Sequence, residues 1–95
     1  MSELRRIHFV VTGRVQGVGF RAWTERTALA AGLTGWVANR SDGAVEGEAQ
    51  GAARAVGSFV LQLQRGPLAA RVVGVEVVEE GVVDGEVGFG VRLGG

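Results

Sequence analysis

The residues RRIHFVVTGRVQGVGFR, positions 5–21, combine a strand pattern, a glycine-rich loop and the beginning of a helix. Every second residue of the first part is one that a strand would bury, namely Ile7, Phe9 and Val11. This alternation predicts a first strand with one face buried more deeply than the other. Residues at helical spacing follow from Phe20 until Gly32, a residue type that often ends helices. The segment therefore predicts a strand that passes through the loop directly into a first helix.

The next segments predict a β-hairpin and then a second helix. Residues 33–39, LTGWVAN, and 44–51, AVEGEAQG, have strand patterns, and the SDG between them is typical of a tight turn. The second helix is predicted over 52–65 and ends at Gly66 and Pro67, because proline cannot continue a helix. Its apolar stripe consists of Val56, Phe59, Val60 and Leu63.

Two further strands complete the predicted fold. Residues 71–80 alternate as a fourth strand, and residues 86–93 form a short fifth strand. On the fifth strand one face is predicted to carry Val87, Phe89, Val91 and Leu93. The order strand, helix, strand, strand, helix, strand is the split βαβ arrangement. We therefore predict an α+β, ferredoxin-like sandwich over a single domain, residues 1–95, with an antiparallel sheet of four strands plus the short fifth and two helices on one face.

The composition excludes several classes of function. The 95 residues leave no room for a second catalytic domain. No cysteine and a single histidine are present, which excludes a thiolate nucleophile and a cysteine-type zinc site. The formal net charge of +0 argues against a nucleic-acid partner. Apolar runs fall far short of the ~20 residues of a membrane span, and the first residues lack a secretory signal pattern, so we expect a cytoplasmic protein with no membrane partner.

The glycine-rich loop has the composition of an anion-binding site. Its three glycines, Gly13, Gly17 and Gly19, let backbone N–H groups approach a ligand closely. The helix that follows presents unpaired N–H groups and a partial positive charge at its first turn, where Arg21 adds a full charge suited to two phosphate oxygens. No lysine is available for a Walker loop. The alternative interpretation is a tight turn with Arg21 as a solvated surface charge.

Asn39 ends the predicted second strand and is the second candidate. In this topology the first and second strands point the same way, so the loop and Asn39 emerge at the same edge of the sheet, about 10 Å apart if one strand lies between them. A carboxamide can accept a hydrogen bond from a water molecule and donate one to a developing anion. The alternative interpretation is a residue that only begins the turn of the hairpin.

Few groups are suited to acid–base or metal catalysis. His8 lies in the middle of a strand, Glu25 is interpreted as an ion-pair partner of Arg21 or Arg26, and Asp42 as a turn residue. The acidic group formed by Glu76, Glu79, Glu80, Asp84 and Glu86 lacks a known ligand spacing, so no metal site is predicted. Phosphoryl transfer depends mainly on positioning and electrostatics, and a carboxyl-phosphate anhydride has a weakly basic leaving group that needs no general acid.

Over essentially its whole length the chain resembles the acylphosphatases. The resemblance rests on GRVQGVGFR at 13–21, which is highly specific, on GLTGWVANRSDGAVEGEAQG at 32–51, and on the closing FGVRL. It implies hydrolysis of acyl phosphates to a carboxylate and phosphate without metal or cofactor. By motif, Arg21 binds the phosphate and Asn39 orients the attacking water. The backbone N–H groups around the phosphate are those of Val15, Gln16, Gly17, Val18, Gly19 and Phe20.

The resemblance also sets the expected partners. These are a small-molecule acyl phosphate, with inorganic phosphate as product and inhibitor, and the chain is expected to act as a monomer. Arg40 stands where some members have a small hydroxyl residue, and Arg14 is interpreted as solvent-facing. Two other functions stay open: a module that binds phosphate or carbamoyl phosphate, as at the start of some large hydrogenase-maturation proteins, and a ferredoxin-like interaction module. The expected lack of any further domain argues against the first of these.

Overall fold

The structure, a computed structural model, describes residues 3–93. Its seven elements follow the predicted order: β1 (Leu4–Arg14), α1 (Phe20–Ala30), β2 (Thr34–Asn39), β3 (Val45–Ala52), α2 (Ala53–Arg65), β4 (Arg71–Glu80) and β5 (Phe89–Arg92). The ends of the predicted 1–95 domain, residues 1–2 and 94–95, lie outside the described residues. No helix within 3–93 is both long and apolar enough to span a membrane.

The five strands form one sheet in the order β4-β1-β3-β2-β5. The first four strands form antiparallel pairs, as predicted: β4 with β1, β1 with β3, and β3 with β2. β5 pairs with β2 in parallel, so the complete sheet is mixed. β3 lies between β1 and β2, which confirms that the C-terminal ends of β1 and β2 lie at one edge of the sheet. β4 runs antiparallel to β1 and so begins at that same edge. The ferredoxin-like α+β fold is confirmed.

The core lies between the sheet and the two helices. The three alternating residues of β1, Ile7, Phe9 and Val11, are fully buried, as predicted. From the α2 stripe Val56, Phe59 and Leu63 are also fully buried, while Val60 packs against the core and is only partly buried. The Phe59 ring meets Phe9 edge-on, with ring centroids 5.5 Å apart. Burial of side chains of this size, at about 1.5–3 kcal/mol each, holds the helices to the sheet.

The fifth strand is shorter than the predicted range of 86–93. Phe89 is buried and Val91 packs against the core, but Val87 and Leu93 lie outside the strand and are 88% and 87% exposed, so the prediction of one strand face shared by all four residues was wrong. Pairing with β2 begins only at Phe89, which lies opposite Gly35. The residues before it form a loop that contacts the outer face of the sheet. The predicted strand was too long because the alternation of apolar residues continues from the strand into this loop.

The outer face of the sheet, away from the helices, carries a buried arginine that holds this loop. Arg6 is 4% exposed and donates hydrogen bonds to Glu48 and to Glu86, the latter at 2.8 Å. Thr34 Oγ1 donates to Glu86 Oε1 at 2.7 Å. The hydrogen bond from Arg6 lowers the pKa of Glu86, which keeps that carboxylate ionised. The network therefore joins β1, β2 and β3 to the chain that leads into β5.

Candidate active site

The loop between β1 and α1 reaches the helix without a side-chain cap. Gly19 at the N-cap of α1 has φ 77° and ψ 18°, a left-handed conformation that glycine adopts without strain. Among the described residues, no side chain makes a hydrogen bond that caps this helix end. The first N–H groups of an α-helix have no partner within the helix, so those of α1 face outward for a ligand.

A cavity of about 240 Å³ opens at this helix end. It is lined by Val15, Gly17, Gly19, Phe20, Arg21, Ala22, Asn39 and Val91. The structure therefore brings together the loop after β1, the first turn of α1, the end of β2 and the middle of β5. Arg21 and Asn39, which the sequence singled out separately, both line it.

Arg21 lies in the first turn of α1 and is partly buried. Its Nη1 donates to the backbone oxygen of Arg92 on β5 at 3.2 Å, which orients the guanidinium. Arg21, Glu25 and Arg26 take part in none of the ion pairs found among residues 3–93, so the predicted pairing of Glu25 with Arg21 or Arg26 was wrong. Its charge is therefore not neutralised by a carboxylate of this part of the chain.

The turn that follows Asn39 is built without the Asn39 side chain. Arg40 N donates to Ala44 O at 2.8 Å, and Ala44 N donates to Asp42 Oδ1 at 3.1 Å. Arg40 Nη2 also contacts Asp42 Oδ2 at 2.7 Å, which confirms Asp42 as a turn residue. No hydrogen bond links the Asn39 carboxamide to another residue within 3–93. Among the described residues, the Asn39 carboxamide therefore takes no part in the hydrogen bonds that form the turn.

Gln16 connects the loop to that turn. Its Nε2 donates to Arg40 O at 2.7 Å and to Ala44 O at 2.9 Å, so one carboxamide fixes the loop beside Asn39. The sequence had suggested only its backbone N–H. Gln16 and Val18 do not line the cavity, unlike the other predicted loop residues, and Val18 packs against the core. The sequence signal for this connecting role was the Gln16 side chain itself, a single amide within a glycine-rich loop.

Two lining residues were missed by the sequence analysis. Ala22 follows Arg21 in the first turn of α1, and its small side chain leaves the cavity open at that point. Val91 comes from β5 and reaches the cavity because β5 pairs with β2 in parallel. Helical position could have indicated Ala22, whereas no local pattern indicates a parallel pairing between strands so distant in sequence.

The other titratable candidates lie away from the cavity. His8 is half-buried on the outer face of β1, with Nε2 3.2 Å from Glu46. Within the acidic group near the end of β4, Glu79 pairs with Arg5 and Glu86 pairs with Arg6. In the described part of the chain, no three histidine, cysteine or carboxylate groups are close enough together to hold a metal ion.

Comparisons with known proteins show the fold and the family of the chain. The family model described as Acylphosphatase matches residues 7–91. The chain is 42% identical over 92 residues to an acylphosphatase of Geobacillus thermodenitrificans, which covers 97% of this chain and 98% of that one. The crystal structure of acylphosphatase from Bacillus subtilis matches with a TM-score of 0.89 and 38% identity, over 95% of this chain and 99% of that chain.

The fold also occurs within a much larger protein. The crystal structure of T. kodakarensis HypF matches 93% of this chain with a TM-score of 0.80 and 29% identity, but the match covers only 12% of the HypF chain. The near-complete match to acylphosphatases in both directions is therefore the more informative one. This chain belongs to the acylphosphatase family, whose members are hydrolases that act on acid anhydrides.

Proposed function

We propose that the chain hydrolyses acyl phosphates, with the phosphoryl group held by Arg21 and the loop 15–20 and with the attacking water held by Asn39. The observation that carries this proposal is the convergence of Arg21 and Asn39 on one cavity. Arg21 comes from α1 and Asn39 from β2. Among residues 3–93, Arg21 forms no ion pair and the Asn39 carboxamide forms no hydrogen bond, so both groups remain available to a ligand.

Binding of the phosphoryl group follows from three sources of positive potential. The uncapped N–H groups at the start of α1 point at the ligand, and the helix dipole favours negative charge there. Arg21 supplies a full charge and a planar set of donors. One of its donors is bound to Arg92 O, which leaves the others for phosphate oxygens. A dianionic group is thus held without lysine or metal.

The reaction is an in-line displacement at phosphorus. The water oxygen forms a bond to phosphorus while the bond between phosphorus and the acyl oxygen breaks, and the departing carboxylate keeps the electron pair. One water proton passes to a phosphoryl oxygen, so RCO–OPO₃²⁻ and H₂O give RCOO⁻ and H₂PO₄⁻. The Asn39 oxygen accepts a hydrogen bond from the water and so directs its lone pair at phosphorus. A carboxylate leaves readily because the pKa of its acid is about 4.

The proposal includes the other properties expected from the sequence. A single domain over residues 1–95 acts as a monomer in the cytoplasm, without metal or cofactor, and with inorganic phosphate as product and inhibitor. The formal net charge of +0 supports a small-molecule partner rather than nucleic acid or a membrane surface.

A phosphate-binding module without turnover is the second candidate, because an uncapped helix start and Arg21 can hold an anion without hydrolysing it. Benzoyl phosphate hydrolysis, measured with and without EDTA, separates the candidates. Turnover that EDTA does not change supports the proposed acylphosphatase activity. Saturable binding of phosphate with no turnover supports the binding module, and the absence of both supports an interaction module. A rate that EDTA abolishes contradicts the metal-independent mechanism.

A further inference from the structure

Two arginines face each other at the sheet edge that carries the proposed active site. Arg14 is the last residue of β1 and lies opposite Arg71, the first residue of β4. Both are exposed, and neither takes part in the ion pairs found among residues 3–93. Like charges directly opposite each other on neighbouring strands are destabilising. An anion bound between the two guanidinium groups would remove that repulsion.

The arginine pair lines a depression of its own. The depression has a volume of about 460 Å³ and is lined by Arg14, Leu68, Ala69, Ala70 and Arg71. Its apolar wall is the turn between α2 and β4, where Leu68 is fully exposed. An exposed leucine beside two guanidinium groups suits a ligand that has both a carbon skeleton and a negative charge.

This depression adjoins the active-site cavity. Arg14 immediately precedes Val15, and Val15 lines the cavity. The turn that forms the apolar wall starts at Gly66, where an added Cβ would lie 3.2 Å from the Phe20 ring. Phe20 also lines the cavity. The two sites are therefore lined by consecutive residues of the chain, and the Phe20 ring of the cavity lies beside Gly66, which precedes the apolar wall of the depression.

The strand order places the arginine pair on the side from which a leaving group would depart. Asn39 ends β2, which is separated from β1 by β3, whereas β4 lies on the other side of β1. In an in-line displacement the attacking water and the leaving group occupy opposite sides of phosphorus. If water is held on the β2 side, the acyl group extends toward β4, where Arg71 and Arg14 lie.

We propose that Arg14 and Arg71 form a second anion subsite, which binds a carboxylate or phosphate group on the acyl part of the substrate. The substrate class is then acyl phosphates that carry a second negative group beyond a short carbon skeleton. This inference rests on the proposed function, since it assigns the leaving-group side of the same site. Guanidinium groups suit such anions because each can donate two parallel hydrogen bonds.

The test compares two substrates of nearly equal shape, 4-carboxybenzoyl phosphate and 4-carbamoylbenzoyl phosphate. For the wild-type protein we expect kcat/KM to be roughly three- to tenfold higher for the carboxylate, the range that two exposed ion pairs provide. In Arg71→Gln and in Arg14→Gln this ratio should fall toward one. The matched control is Arg54→Gln, which removes the same charge from an exposed arginine. Arg54 lies at the start of α2, at the opposite edge of the sheet, and its variant should keep the wild-type ratio.

The outcomes distinguish this inference from the proposed function. Failure of the wild-type protein to hydrolyse either substrate or benzoyl phosphate contradicts the proposed function itself. Hydrolysis with a wild-type ratio near one overturns the subsite alone, as does a ratio that survives in both Arg71→Gln and Arg14→Gln. If the two arginines bind only a free anion and not the substrate carboxylate, the wild-type ratio of kcat/KM values will also be near one, and the inference is overturned.

Discussion

Asn39 and Arg21 illustrate how a polar side chain shows its role through the contacts it does not make. The turn after Asn39 is complete without its carboxamide, since Asp42 and the backbone supply the hydrogen bonds. The Arg21 guanidinium is oriented by one backbone oxygen and left without a carboxylate partner from residues 3–93. Each side chain therefore has hydrogen-bonding capacity at the cavity that a ligand can use.

Replacement of Asn39 by alanine tests the positioning of water. We expect kcat for benzoyl phosphate to fall about 100-fold, the usual effect of removing one preorganised hydrogen-bonding group, while inhibition by phosphate is retained. Steady-state kinetics with inorganic phosphate as competitor measure both quantities. Ser41→Ala, in the exposed part of the same turn, is the control and should behave as wild type. A variant Asn39→Ala with nearly normal kcat would contradict the role in water positioning.

Replacement of Arg21 by alanine tests the phosphate anchor. Because its charge acts on substrate and product alike, we expect the inhibition constant of phosphate to rise about tenfold or more and turnover to fall with it. Arg26→Ala removes an exposed arginine from the same helix outside the cavity, and it should change neither quantity. If phosphate inhibited Arg21→Ala as strongly as wild type, the anchor would have to lie elsewhere.

At the scale of elements, the sequence predicted the strands and helices wherever local alternation agreed with tertiary burial. β1 and α2 were correct in position and in their buried faces because their apolar residues meet the same core. β5 was predicted too long because its boundary depends on distant contacts, in which Gln50 holds Val83 and Arg6 holds Glu86. Residues so far apart in sequence leave no local pattern. Val91 was missed in the cavity for the same reason.

The loop and the hairpin are joined by one side chain, which makes Gln16 a test of this connection. In Gln16→Ala the backbone oxygens of Arg40 and Ala44 each lose one hydrogen bond and keep the one from a backbone N–H, so we expect a loss of about 0.5–1.5 kcal/mol per lost hydrogen bond in the free energy of unfolding. We also expect turnover to fall about tenfold as the loop moves relative to Asn39. Urea unfolding and benzoyl phosphate kinetics measure the two effects. Gln62→Ala, which changes an exposed residue of α2, is the control. If Gln16→Ala and Gln62→Ala had the same free energy of unfolding and the same turnover, the role of Gln16 would be contradicted.

For the molecule as a whole, the two faces of the sheet are stabilised differently. The helix-covered face is apolar, and its burial could be predicted from the sequence pattern. The outer face holds Arg6 among carboxylates, and this arrangement requires knowledge of which strands are neighbours. Removing one partner of a buried ion pair destabilises the fold because it leaves the other charge buried and uncompensated. The network also fixes the approach to β5, which supplies Val91 and the oxygen that orients Arg21.

The acid stability of the whole molecule should depend on Glu86. Its pKa is lowered from the usual value of 4.5, mainly by the hydrogen bond from Arg6, so the unfolded chain binds more protons than the folded one below that value. The stabilisation is therefore fully present above the usual pKa and is lost as the pH falls through the lowered one. In Glu86→Gln we expect a smaller free energy of unfolding than wild type at neutral pH, and a difference that shrinks as the pH falls through the lowered pKa of Glu86, where the wild-type carboxyl also becomes neutral. Urea unfolding across this range measures it, with the exposed Glu76→Gln as control. A difference that stayed constant or grew in acid would show that the Arg6–Glu86 contact does not stabilise the fold through its charge.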